Sequence, residues 1–331
     1  MTQEKQVTDE NGLQAWLYDV SGDDAPVRLS DVDLADLNDN QIVWVDVDLR
    51  TTKDIDSLLK PLGIEHLVRD IDPSIRRPSL NAHESFAQLN VIAAQEHLSD
   101  FVPVALHCFV GNNWIATVHH GELNLVESFN EPLANDSRLG GLDSAAFLAM
   151  VLDWHLNSYL RAIEAVQTGI DEVDELLLKR RSDEAGLLHR LLELRRQITR
   201  LRGALSPLRD VIGPLSNPHS DLLFSTKAAP DFERLLQRLE HALEEVNTSR
   251  EMIAVSFDIH MTKVSQNTND IMKRLTLASV LLLPAVLLAG VMGMNFKIPW
   301  FEEPANFWVT VFAMGFLALC TLVYARVRKW L

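Results

Sequence analysis

Two cysteines in 331 residues, Cys108 and Cys320, are too few for a disulfide framework or a zinc finger. Basic residues are also short: 30 Lys and Arg against 46 Asp and Glu leave a formal charge of −16. Nucleic-acid binding needs a basic face, so that class is excluded. An acidic body attracts cations, although the solubility of a large cytosolic part accounts for most of such a charge. The opening residues Met1-Thr2-Gln3-Glu4-Lys5 contain no apolar run of the signal-peptide kind. The N-terminal domain is therefore expected to stay in the cytosol. No Ser/His/Asp arrangement, P-loop or H-E-x-x-H pattern occurs, which argues against an enzyme.

Charge is missing from two stretches near the C-terminus. The first follows Lys273-Arg274 and runs from Leu275 to Met292, with Pro284 inside it. The second runs from Phe307 to Ala325 and closes on Arg326, Arg328 and Lys329. Crossing the hydrocarbon core takes roughly 20 apolar residues, and both runs qualify. Neither has the polar face expected of a core helix in a soluble protein. A proline deep in a helix is also better tolerated in a membrane bundle, where neighbours re-satisfy the freed carbonyl. The sequence therefore predicts an integral membrane protein with two C-terminal spans.

The flanks set the orientation. Lys273, Arg274, Arg326, Arg328 and Lys329 lie at the outer ends of the hairpin, while the connecting loop has Lys297 against Glu302 and Glu303. By the positive-inside tendency both termini are expected to be cytoplasmic, in a plasma (inner) membrane. Trp300 and Trp308 would sit near one interface and Trp330 near the other. Two spans cannot enclose a pore, so conduction would require a homo-oligomer in the lipid bilayer.

Proline and glycine are absent between Asp231 and Pro284. A helix starting near Asp231 can therefore continue from the cytosol into the membrane. About 60 residues at about 1.5 Å each give a rod of roughly 90 Å. Phe232, Leu236, Leu239, Leu243, Val246, Ile253, Phe257 and Val264 mark its apolar rhythm. Upstream, helical periodicity begins at Asp143, with Phe147, Val151, Trp154, Ile163, Val166, Ile170, Val173 and Leu177 on one stripe. After a break near Arg181-Ser182, Leu187, Leu191, Leu194, Ile198, Leu201, Leu205 and Leu208 form a heptad seam. Pro207, Gly213 and Pro214 are expected to loosen and end it, with a linker over 216–230.

Before residue 140 the pattern is mixed. Strands are expected over 13–20, 41–49, 86–94, 104–110 and 114–119, and Gly111-Asn112-Asn113 supplies a hairpin turn. A short helix over 54–62 would end at Gly63. Asp46 and Asp48 share a strand face and are expected as solvated carboxylates at a strand end. His119 and His120 point to opposite faces, so they cannot share one ion in a regular strand. The fold class is α+β: a mixed α/β cytosolic domain over 1–140, a helical coiled stalk over 141–272, and a two-span pore domain over 273–331.

Gly293-Met294-Asn295-Phe296, preceded by Pro284 and Ala289-Gly290, resembles the signature of the CorA family of divalent-cation transporters. Asn269-Asp270-Ile271-Met272-Lys273-Arg274-Leu275-Thr276 and the final Lys-Trp-Leu carry the same resemblance. The match is dense from about 232 to 331 and collinear back to about 65. It implies a homopentamer in which Gly293, Met294 and Asn295 form the outer selectivity ring. Asn295 would offer an amide oxygen at the C-terminal end of the first span, where the helix dipole is negative. Such an oxygen hydrogen-bonds the waters that Mg²⁺ gives up reluctantly. Stepping inward, Gly290, Val286, Leu283, Ser279, Leu275, Met272 and Asn269 would line the pore. Met272 and Leu275 match the family's hydrophobic gate, and Asn269 its inner polar ring. Leu283 and Val286 stand where family members often place methionine and threonine, which makes this pore drier.

The family binds cytosolic Mg²⁺ between subunits through acidic residues, and Asp70 and Asp258 match two of them. A third acid corresponds to Arg234, with Glu233 beside it, and that departure leaves the feedback site altered. Glu302 and Glu303 would concentrate cations near the outer mouth. The expected cargo is Mg²⁺, with Co²⁺ or Ni²⁺ as further ions. Two alternatives are open: a ZntB-type transporter carrying Zn²⁺, and a membrane-anchored coiled-coil sensor or scaffold.

Overall fold

The computed structural model describes residues 14–19, 25–38, 40–53, 55–69, 71, 77–97, 100–121, 123, 125, 143–179, 184–217, 228–294 and 304–327. Its chain divides into two compact units, Met1–Ser256 and Phe257–Leu331.

The first unit begins with a sheet. Its strands are β1 (Gln14–Asp19), β2 (Ala25–Pro26), β3 (Gln41–Asp48), β4 (Ser79–Ala82), β5 (Ala87–His97), β6 (Asp100–Val110) and β7 (Trp114–His119), in the order β2-β1-β3-β7-β6-β5-β4. β3 and β7 pair in parallel, and every other pairing is antiparallel. The β6–β7 turn needs Gly111, because a Cβ there would run into the Trp114 indole at 2.2 Å. The sequence pattern located five of the strands; β2 and β4, of two and four residues, are too short to show a period.

Alternation along β3 sends Val43, Val45 and Val47 to one face. They pack there with Phe109, Ala116 and Val118 against Leu59, Leu62, Ile64 and Val68. Leu59 ends α1 (Ile55–Leu59), and Val68 belongs to α2 (Glu65–Arg69). Gly63, at φ 70°, stops the turn that follows α1, where its missing Cβ makes a left-handed conformation cheap. On the other face Trp44 meets Phe147 at 5.4 Å between ring centroids. That face buries Asp46, which is 9% exposed. The expected solvated strand end is thus corrected: β7 lies alongside β3 as far as Asp48 and closes off the water.

Phe147 belongs to α3 (Ser144–Leu178), capped by Asp143, whose Oδ1 accepts from Ala146 N at 2.8 Å. The expected stripe is buried throughout except Trp154, which is half-buried. α4 (Glu184–Leu205) buries all of its seam leucines. Pro214 comes two residues before the helical region ends, close to the expected stop. It lies inside α5 (Leu208–Ser216), where Leu208, Val211, Ile212 and Leu215 bury a full stripe. That packing offsets the one backbone bond a proline removes.

α6 (Ala229–Met292) is a single helix of 64 residues. In the first unit its buried positions after Ala229 are Phe232, Leu235, Leu239, Ala242, Val246, Ser249, Ile253 and Ser256, at strict three–four spacing. Leu236 and Leu243, expected on this seam, are half-buried beside it. Gln167 of α3 donates to Ser249 Oγ at 3.3 Å, so polar contacts take over part of the seam.

The second unit holds the C-terminal part of α6 and α7 (Pro304–Val327). Among the described residues two helices are long and apolar enough to cross a membrane, α6 by its C-terminal part and α7. Many of their large apolar side chains are exposed, Phe312 at 74% and Leu283 at 69% among them. Such a surface is stable in lipid or against other chains and costly in water.

Candidate functional site

Two stripes in the second unit are partly covered. On α6 they are Leu277, Leu281, Pro284, Ala285, Leu288 and Met292. On α7 they are Asn306, Thr310, Met314, Ala318 and Thr321, closed by the buried Ala325. Thr310 Oγ1 lies 4.0 Å from Met292 Sδ, which puts the second span against the first stripe. The small and hydroxylated residues on α7 suit helix–helix contact in a bilayer.

The expected pore residues occupy the opposite side. At about 100° per residue, Asn269, Met272, Leu275, Ser279, Leu283, Val286 and Gly290 centre about 180° from that covered stripe. All seven are exposed; Met272 is 55%, Leu275 61% and Val286 67% exposed. Ser279 Oγ donates to the Leu275 carbonyl at 3.1 Å, so its lone pairs remain for a partner off the helix. Thr276 lies on the same uncovered side and was not singled out from the sequence. Counting every residue around the helix, rather than stepping down one row, would have found it.

α6 ends at Met292. Gly293 N donates to the Ala289 carbonyl at 2.9 Å, and Met294 N to Val291 at 3.2 Å, which tightens the last turn. A Cβ on Gly293 would come 3.3 Å from the Ala289 oxygen, so a larger residue would push against backbone. Gly293 and Met294 thus form an exposed turn at the helix end. Asn295 lies outside the described residues, as do Glu302 and Glu303.

Of the two acids expected to bind regulatory Mg²⁺, Asp258 is exposed on α6, and Asp70 lies outside the described residues. Arg234 is not a stand-in for an acid: it pairs with Asp231 at 2.6 Å. Glu233 lines an open groove of about 660 Å³ with Glu240, His241 and Glu244, where Arg209 pairs with Glu240 at 2.5 Å. Among the described residues no three His, Cys, Asp or Glu side chains converge on a metal-sized site. A divalent ion on Asp258 would therefore need ligands beyond them.

A family model for the CorA-like Mg²⁺ transporter protein matches residues 39–329. The chain belongs to the CorA-like Mg²⁺ transporter family. It is therefore a membrane transporter of the divalent-cation class and not an enzyme. The cobalt/magnesium transport protein CorA of Thermotoga maritima is 28% identical over 185 residues, 56% of this chain and 52% of that protein. The protein of the same name from Methanocaldococcus jannaschii is 22% identical over 307 residues, 91% of this chain and 95% of that one. In structure, the complete CorA magnesium transporter of M. jannaschii superimposes with a TM-score of 0.80 at 20% identity, over 96% of this chain and 98% of that chain. The full-length CmaX protein gives 0.74 at 22% identity, over 97% of this chain and 99% of that chain. At those identities the two structures establish the fold, which includes the α/β domain, the long helix and the two C-terminal helices.

Proposed function

We propose that this chain is the subunit of a homopentameric Mg²⁺ channel of the plasma membrane, with both termini in the cytoplasm. The observation that carries the reading is the uncovered face of the first span, which lies opposite the second span and leads to Gly293-Met294-Asn295. Five copies of that face would enclose a narrow, largely apolar path. Its wall binds no bare ion; it passes a hydrated one or closes by losing its water. Met272 and Leu275 form the closing collar, Asn269 an inner polar ring and Ser279 a ring of hydroxyl oxygens. Asn295 holds hydrated Mg²⁺ at the mouth, helped by the negative end of the helix dipole. Glu302 and Glu303 raise the local cation concentration outside.

Cytosolic Mg²⁺ closes the channel through Asp258 and Asp70, each supplying a carboxylate oxygen of the kind hard cations prefer. The Arg234–Asp231 pair leaves no third acid there. Co²⁺ and Ni²⁺ share the octahedral hydration of Mg²⁺ and are further cargo. The relatives whose names specify cobalt and magnesium support this choice over Zn²⁺. The ZntB cytoplasmic domain of Vibrio parahaemolyticus reaches a TM-score of only 0.53 at 14% identity.

Purified protein in liposomes tests the reading, with Mg²⁺ and Zn²⁺ offered separately, with and without a pH gradient. Passive Mg²⁺ flux independent of the gradient is expected. Zn²⁺ flux that requires the gradient would replace this reading with a proton-coupled zinc carrier.

A further inference from the structure

Among the described residues β3 and β7 are the one parallel pair, and their ladder joins β2-β1-β3 to β7-β6-β5-β4. Among the described residues three contacts between side chains cross this junction, beside a bond from Thr117 Oγ1 to the Val45 carbonyl at 3.4 Å. Trp44 Nε1 donates to Thr117 Oγ1 at 3.0 Å. Thr117 Oγ1 donates to Asp46 Oδ1 at 2.5 Å. His119 Nε2 lies 3.4 Å from Asp46 Oδ2, with the two side chains 3% and 11% exposed.

The protons in this chain of contacts can be counted. His119 Nδ1 lies 2.7 Å from the Gly121 carbonyl oxygen, which only accepts, so Nδ1 carries a hydrogen. A neutral imidazole would then aim its Nε2 lone pair at a carboxylate oxygen. Two acceptors facing each other in a buried site repel. The contact becomes attractive only with a proton between Nε2 and Oδ2.

We propose that Asp46 and His119 jointly bind one proton that clamps β3 to β7, and that the first unit loosens at this junction when the proton leaves. That proton would lie between a nitrogen on β7 and an oxygen on β3, so it belongs to the junction and not to one strand. The surroundings favour keeping it. Burial opposes a charge on His119, but the contacts with Asp46 and the Gly121 carbonyl outweigh it, and its pKa lies above the usual value. Asp48, the next charge on β3, is committed to Arg50 at 2.7 Å. There burial is likewise outweighed by the Arg50 hydrogen bonds, and the carboxyl titrates below its usual range. From β6, Cys108 stands opposite Thr117 in the ladder. Burial first, then the charge of Asp46, pushes its thiol up to about 12, so it stays neutral. α3 meets this face through Phe147, while its own buried Tyr159 donates to the Ile92 carbonyl of β5, with His155 beside it.

Hydrogen exchange on the full chain in nanodiscs, from about pH 6 to about pH 9 and corrected for intrinsic rates, tests the clamp. Peptides of β3 and β7 should lose protection at the alkaline end while those of β5 keep theirs. Asp46→Asn is the decisive variant. Its amide nitrogen donates to a neutral Nε2 and its oxygen still accepts from Thr117, so β3 and β7 should stay protected across the whole range. Flat protection in the unaltered protein, or an equal alkaline loss in Asp46→Asn, would overturn the proposal. A second readout needs no variant: the ring resonances of His119 should titrate above those of a free histidine. A midpoint at or below the free value would overturn it as well.

Discussion

His155 stands edge-on to Tyr159 within α3, 4.9 Å between ring centroids and 80° between planes, with neither ring nitrogen hydrogen-bonded. Desolvation alone pushes its pKa down to about 3. An unsatisfied buried polar group costs about 1–3 kcal/mol. His155→Phe should recover about that much and fill the same space, which a urea or thermal midpoint of the full chain in detergent would show.

The same residue sets an acid limit. Its folded pKa lies below the unfolded value near 6.5, so the unfolded chain binds the extra proton. Stability is complete above the unfolded pKa and declines as pH falls from about 6.5 towards 3. In His155→Phe this decline should be shallower. An unchanged pH profile would mean that another group governs the acid side.

Much of the fold was legible because its signals are local. The seam from Leu187 to Leu208 was found intact, since all of its expected positions are large aliphatic residues and all are buried. The α6 seam was only half legible. Leu236 and Leu243 compete with Leu235 and Ala242 for the same row, and Ser249 and Ser256 are core positions that look like surface ones. Asp46 was misread for a different reason. Its burial depends on β7, which joins β3 in parallel from some seventy residues away, and no periodicity within β3 announces that partner. Pro214 reads as a stop and comes two residues before one, in a last turn that also buries Leu215.

Asn295→Ala should leave the oligomer assembled and cut Mg²⁺ flux by at least about tenfold, the effect of about 1.4 kcal/mol on the barrier. The exposed turn of Gly293 and Met294 that precedes it sits at the end of the first span. Flux measured in liposomes at matched protein content checks this. Unchanged flux would remove Asn295 from the selectivity ring.

Met272 and Leu275 lie three residues apart on the uncovered face. A collar built from them closes by excluding water, so Leu275→Asn should wet it. Resting conductance should rise, and internal Mg²⁺ should inhibit less. A mutant that assembles and stays closed would move the collar to Leu283 or Val286.

Asp258→Ala and Asp70→Ala should each weaken the protection that Mg²⁺ gives the cytosolic part against limited proteolysis, since a bound ion stabilises the state it prefers. Protection with the same Mg²⁺ dependence in both variants would make these acids ordinary surface charges.

The face of α6 opposite the second span is the centre of the whole account, and a thiol scan tests it most directly. In a background without Cys108 and Cys320, cysteine is placed singly at Leu283 or Val286 on that face, and at Leu281 on the covered stripe. Mg²⁺ flux is then followed before and after a charged, membrane-impermeant thiol reagent is added to each side. A pore face requires that Leu283→Cys and Val286→Cys be blocked while Leu281→Cys is not. Block at Leu281→Cys with none at Leu283→Cys or Val286→Cys would contradict it, because the ion path would then run along the other side of the helix.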